Sequence, residues 1–257
     1  MKRSFLSLFL CGLLLTCLAG CGNGEPPEAS TEEPMEEAEE ITLSAPKTVV
    51  IDAGHQAQAN TEQEPVGPNA AETKMKVTGG TAGVSTGVPE YELTLTISQL
   101  LRDELTTRGY QVVMVRESHD VDLSNRERAD MANQSGGDIF LRIHANGSED
   151  PSVNGAMTLC PTPQSPYPIG ELYSQCRLLS DLVLEELVAV TGAKALYVWE
   201  TDTMSGINWC RIPVTIVEIG FLSNPEEDLL LNSPGYQAKI VTGIANGVDQ
   251  YFARMGS

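Results

Sequence analysis

The chain contains three histidines, and two of them stand at the ends of apolar runs. His55 follows Val49-Val50-Ile51-Asp52-Ala53-Gly54, and His144 follows Ile139-Phe140-Leu141-Arg142-Ile143. Both runs read as buried strands, and in an open α/β sheet the crevice beyond the carboxyl ends of the strands is where ligands bind. Two neutral imidazoles joined by one carboxylate make a hydrolytic zinc site with a position left for water. This needs the two strands to be neighbours, and spacing alone leaves a structural role open for each histidine. Glu218 ends another apolar run, Val214-Thr215-Ile216-Val217, where an unpaired charge is costly. The third histidine, His119, lies in the polar turn Glu117-Ser118-His119-Asp120 and reads as solvated.

The elements that must position these residues alternate along the chain. Thr48 to Ile51, Gln111 to Val115, Ile139 to Ile143, Gly155 to Leu159 and Val214 to Val217 predict strands. Glu90 to Arg108 predicts a helix, with Leu93, Ile97, Leu100, Leu101 and Leu105 recurring at 3–4 spacing and Gly109 as its stop. Ser124-Asn125-Arg126-Glu127 has capping-box form and opens a helix to about Asn133. Leu172 to Val190 reads as an amphipathic helix closed by Gly192, and Asn224-Pro225 and Ser233-Pro234 open two more. Strands interleaved with helices predict an α/β three-layer sandwich, a mostly parallel or mixed twisted sheet with helices on both faces. Gln56 to Pro89 is the exception, long and rich in Gly, Thr, Ala and Pro. It is expected to be irregular, either disordered or a hinged lid over the crevice, because both its ends adjoin candidate ligands.

Composition narrows the function classes. The 257 residues carry 16 basic and 35 acidic side chains, a net charge of −19. That balance argues against nucleic acid and against electrostatic docking on anionic lipid. Lys2 and Arg3 precede the apolar stretch Phe5 to Leu18, which is short for a bilayer span but suits a signal peptide. It ends in Leu18-Ala19-Gly20-Cys21, which resembles the lipobox of bacterial lipoproteins; the resemblance implies lipidation of Cys21 and an extracytoplasmic protein anchored on the outer face of the cytoplasmic membrane. Residues 21–46 hold eight Glu, four Pro and no Lys or Arg, the composition of a disordered tether. Residues 1–20 are thus read as a signal, 21–46 as a tether and 47–257 as one folded domain, expected to be a monomer. Cys160, Cys176 and Cys210 have no metal-binding spacing, and buried free thiols are expected.

Three blocks, Val50-Ile51-Asp52-Ala53-Gly54-His55, Leu141-Arg142-Ile143-His144-Ala145-Asn146 and Val217-Glu218-Ile219-Gly220-Phe221-Leu222-Ser223-Asn224, resemble in order the catalytic domain of the type-3 zinc-dependent N-acetylmuramoyl-L-alanine amidases. The resemblance implies zinc held by His55, His144 and a Glu at the start of the helix after the first block. Glu90 and Glu92 compete for that place. The family's apolar positions three, five, seven and eleven residues on fall at Leu93, Leu95, Ile97 and Leu101 from Glu90, but include Gln99 and Asp103 from Glu92, so Glu90 is assigned. Glu218 carries over as the catalytic acid–base, peptidoglycan as the substrate, and the amide between N-acetylmuramic acid and L-alanine as the bond cut. Another zinc peptidase of wall stem peptides and a non-catalytic wall-binding lipoprotein are the alternatives. Asp52 is open between orienting a ligand and a structural role, and Arg142 between a substrate carboxylate and a salt bridge; Asn146 is a further substrate candidate. Arg126 and Asn133 are read as architectural. Trp199 and Trp209 are open between core and a stacking surface for sugar or peptide.

Overall fold

The computed structural model describes residues 46–256. The signal, Cys21 and all but the last residue of the acidic segment lie outside the described residues. The β-branched run at the start pairs into strand β1 (Thr48–Ala53). It is followed by β2 (Asn60–Pro65), β3 (Thr73–Val77), helix α1 (Glu90–Thr107), β4 (Gln111–Met114), α2 (Asn125–Gln134), β5 (Ile139–Asn146) and β6 (Ala156–Cys160). Then come α3 (Tyr173–Thr191), β7 (Ala195–Glu200), the single turn α4 (Ser205–Asn208), β8 (Val214–Phe221), α5 (Pro225–Leu231) and α6 (Pro234–Met255). Six strands form one sheet in the order β4-β1-β5-β8-β6-β7. All its pairings are parallel except β6 with β8.

Strand alternation sorts the side chains onto two faces. Ile51, Leu141, Ile143, Val217 and Ile219 pack beneath α1, α3 and α6, while Val50, Phe140, Met157, Leu159 and Ile216 face α2 and α4. This is the expected sandwich. On the first face α6 crosses α3 closely because Gly243 and Gly247 lack side chains: a β-carbon there would stand 2.7 Å from the Leu187 Cα and 2.6 Å from the Val183 Cα. The caps also follow local chemistry. Ser124 and Glu127 form a reciprocal capping box on α2, and the Asn224 side chain accepts from the Glu226 and Glu227 amides at the start of α5. Cys160, Cys176 and Cys210 are free and buried.

The structure departs from the sequence reading in three places. The stretch 56–89 is not irregular throughout: β2 and β3 pair as an antiparallel hairpin. Few of its residues are apolar, so no strand pattern shows; it is held instead by polar contacts to the domain. Asn125 Nδ2 donates to the Lys76 carbonyl, Trp209 Nε1 to Pro65 and Asn208 Nδ2 to Val66. A hairpin pinned at both strands is a wall rather than a hinged flap. Strand β7 and the turn α4 went unread, β7 because it is an edge strand with alternate residues in solvent. Finally, β5 and β8 run on to Asn146 and Phe221, so His144 and Glu218 sit within paired backbone rather than after it.

Candidate metal centre and catalytic cleft

The three candidate ligands reach one point from three elements. His55 leaves β1 at φ 60°, a left-handed conformation that costs a residue with a β-carbon on the order of 1 kcal/mol. The turn is kept there by guanidinium groups. Arg128 donates to the carbonyls of Ala53 and His55, and Arg116 to those of Ala53 and Gly54. Glu90 is the first residue of α1 and is almost wholly buried. Its Oε2 accepts from the Thr81 amide at 3.0 Å and its Oε1 from the Ala145 amide at 3.1 Å. His144 lies near the end of β5, its ring meeting that of His55 edge-on at 4.8 Å. Glu90 Oε1 stands 3.1 Å from His55 Nε2 and 3.2 Å from His144 Nδ1.

The contact between His55 and Glu90 needs a positive charge. His55 Nδ1 lies 2.9 Å from the carbonyl of Thr78, which can only accept, so the ring hydrogen is on Nδ1 and a neutral His55 turns a bare Nε2 to the carboxylate. Two lone pairs at 3.1 Å repel unless a proton or a metal ion lies between. One donor atom from each of His55, Glu90 and His144 falls within 4.8 Å of the others. The Glu90 separations are close to the edge, about 3.3 Å, of a tetrahedron with zinc–ligand lengths near 2.05 Å. His144 Nε2 is buried without a hydrogen-bond partner, as is Glu218 Oε2. The donor set therefore fits a metal ion. Two glycines make the room: a β-carbon on Gly54 would stand 2.5 to 2.7 Å from three atoms of the His144 ring, and one on Gly80 2.7 Å from Glu90 Oε2.

Electrostatics separate the two glutamates. Burial alone would push Glu90 up, but positive charge at the imidazoles of His144 and His55 outweighs this and holds it well below the usual carboxylate range. Burial pulls the His144 imidazole down to about 4, against the opposing pull of Glu90. Glu218 is the register partner of His144 across β5 and β8, so its side chain stands on the same face. Burial, and then the charge on Glu90, push it up to about 8. A carboxyl that shifts its proton near neutrality beside three candidate metal ligands is suited to proton transfer.

A cleft of about 540 Å³ opens over these groups. His55, His144, Glu218 and Arg142 lie in it; Lys74 and Met75 of the hairpin form one wall, and the segment Thr203 to Gly206 the other. Lys74 Nζ joins the walls by donating to the Thr203 carbonyl at 2.6 Å.

The remaining candidates sort by contact. Asp52 touches neither imidazole. It is fully buried between Arg128 (2.8 Å) and Arg142 (3.0 Å), and Arg142 also donates to Asn125 Oδ1. Arg142 is thus salt-bridged and cleft-lining at once. Asn146 turns to the Met157 sulfur and accepts from the Gly147 amide, and the residues lining the cleft do not include it. Glu92 bonds to the Tyr91 hydroxyl, and His119 is exposed against the Tyr91 ring. Arg126 is exposed over the Trp209 ring at 4.3 Å, whereas Arg128, two residues on, carries the buried network. Arg128 and Arg116 were missed by residue type, because an arginine is expected outside. The available signal was position: Arg128 shares the inward face of α2 with Ala129 and Ala132.

The sequence model of the N-acetylmuramoyl-L-alanine amidase family matches residues 49–250. The chain belongs to that family. The amidase is 31% identical over 252 residues to the uncharacterized protein YqiI of Bacillus subtilis, covering 98% of this chain and 99% of that one. It is 30% identical over 197 residues to the germination-specific N-acetylmuramoyl-L-alanine amidase of Bacillus subtilis, covering 69% of this chain and 78% of that one. Among solved structures it is similar to the N-acetylmuramyl-L-alanine amidase Ami1 of Mycobacterium smegmatis, with a TM-score of 0.72 at 25% identity over 81% of this chain and 97% of that one. The amidase is therefore a peptidoglycan hydrolase, and its mostly parallel six-stranded sheet is that of its structural neighbours.

Proposed function

We propose that the chain is a zinc-dependent amidase that cuts the amide between the lactyl carbonyl of N-acetylmuramic acid and the nitrogen of L-alanine, with His55, Glu90 and His144 as metal ligands and Glu218 as the acid–base. The observation that carries the reading is the convergence of a bare imidazole nitrogen, a buried carboxylate and a second imidazole beside an unpartnered Glu218 oxygen. Zinc, when bound there, acidifies water and polarises the scissile carbonyl. The chain's own residues supply the rest. The Thr78 carbonyl fixes the His55 tautomer, and the Thr81 and Ala145 amides orient Glu90. Glu218 takes a proton as water adds to the lactyl carbon and gives one to the alanine nitrogen as the C–N bond breaks. The products are a lactyl carboxylate and a free amino terminus. Asp52 acts at one remove, holding Arg142 at the floor of the cleft.

The lipobox-like Leu18-Ala19-Gly20-Cys21 and the acidic segment after it support an extracytoplasmic enzyme anchored by lipid at Cys21 and tethered toward the wall. Mass spectrometry of digested peptidoglycan tests the central reading. Stem peptides with a new N-terminal L-alanine and intact glycan strands are expected. Cleavage within the stem peptide would make the chain a peptidase instead, and no cleavage by zinc-loaded protein would make it a wall-binding protein. Cys21→Ser should move the protein from the membrane to the soluble fraction.

A further inference from the structure

The floor of the catalytic cleft does not stop at the cleft. Register carries one row of side chains across the sheet, from Arg142 on β5 to Ile216 on β8, Leu159 on β6 and Trp199 on β7. Arg142, Ile216 and Leu159 line the cleft. Trp199 is the next position in that row, at the sheet edge, and is 42% exposed. The neighbouring row runs from His144 to Glu218 and Met157, and strand alternation places Tyr197, 58% exposed, on the same face of β7. The face is locked: on the other side of the strand Glu200 accepts from the Tyr173 hydroxyl and from Arg177 on α3. Two exposed aromatic rings on an edge strand are an aggregation liability that soluble proteins ordinarily avoid.

We propose that Tyr197 and Trp199 form a carbohydrate platform that stacks the sugar rings of the glycan strand flanking the muramoyl unit under attack. The proposal rests on the amidase reading for its substrate. β7 lies two strands from β8, roughly 10 Å from the strand that carries Glu218, and the rings stand roughly 7 Å apart along β7. A glycan strand with its muramoyl lactyl amide at Glu218 and its length laid across the sheet toward β7 passes over them. The C–H groups on the face of a sugar ring meet the negative face of an aromatic ring favourably.

The test uses the full chain and two probes, glycan strands stripped of their peptides and a single muramoyl peptide. Trp199→Ala and Tyr197→Ala should each weaken strand binding by roughly tenfold, and Trp199→Phe should restore most of it. The same variants should raise KM on peptide-bearing strands much more than on the single muramoyl peptide, with the excess growing with strand length. Equal strand binding by wild type and Trp199→Ala would overturn the platform, as would equal KM effects on the long and short substrates. If wild type binds bare strands through Trp199 yet cleaves no muramoyl peptide, the amidase reading fails and the platform stands.

Discussion

Gly54→Ala is the sharpest probe of the metal centre, because Gly54 is not itself a ligand. A methyl group on Gly54 would lie 2.5, 2.6 and 2.7 Å from three atoms of the His144 ring. Ordinary carbon contacts are about 3.5–4.0 Å, so something must retreat by roughly 1 Å. The backbone cannot. The Gly54 amide donates to Ile143 at 2.9 Å, and its carbonyl accepts from Thr94 Oγ1 at 2.8 Å and Arg116 Nη2 at 3.0 Å. The displacement therefore falls on His144, whereas metal–ligand distances hold to about 0.2 Å. A misplacement of about 1 Å costs on the order of a hundredfold in turnover. Overpacking costs about 1–3 kcal/mol, within the roughly 5–15 kcal/mol stability of a domain, so the variant should still fold. Metal content measured at fixed free zinc should fall, turnover of muramoyl peptide should drop about a hundredfold, and the circular dichroism spectrum should persist. Gly235→Ala in α6, with open space around its β-carbon, is the matched control and should keep both metal and turnover. A folded Gly54→Ala protein with full zinc and wild-type turnover would show that His144 does not bind the metal.

Three further outcomes are expected. Glu218→Gln should retain zinc by metal analysis and lose at least about a hundredfold in kcat, the scale of general acid–base catalysis; near-normal turnover would move the proton-transfer role elsewhere. Asp52→Asn strands two buried guanidinium groups and should cost about 3–5 kcal/mol in denaturant unfolding at neutral pH. Burial pushes Asp52 up, but Arg128 and Arg142 hold it below its ordinary value, so its contribution is present above the unfolded pKa of about 3.9 and is lost as pH falls through the folded one. The gap between wild type and Asp52→Asn should accordingly narrow in acid, and a gap that widens there would contradict the assignment. Shortening the hairpin by removing residues 61–76 takes Lys74 and Met75 out of the cleft wall and should change KM on intact wall while zinc stays bound; unchanged kinetics on both wall and short muropeptides would make the hairpin a bystander.

Much of this was written locally. The 3–4 spacing of α1, the capping box of α2, the Pro starts of α5 and α6 and the left-handed Gly192 closing α3 each depend on a few neighbouring residues, so they are legible in order along the chain. The histidines at the ends of apolar runs, and the phase that picks Glu90 over Glu92, are local in the same sense. Other features depend on contacts distant in sequence. The pairing of His144 with Glu218 is a register between strands 74 residues apart. The Arg128–Asp52–Arg142 cluster is stable only because three elements bury it together, and nothing in the residue types marks Arg128 over Arg126. The β2–β3 hairpin has little apolar pattern of its own and exists through hydrogen bonds to α2 and the α4 turn. Strand alternation and helix period are properties of a segment, whereas charge burial, edge position and cleft walls depend on what the rest of the chain places alongside; those only the tertiary structure decided.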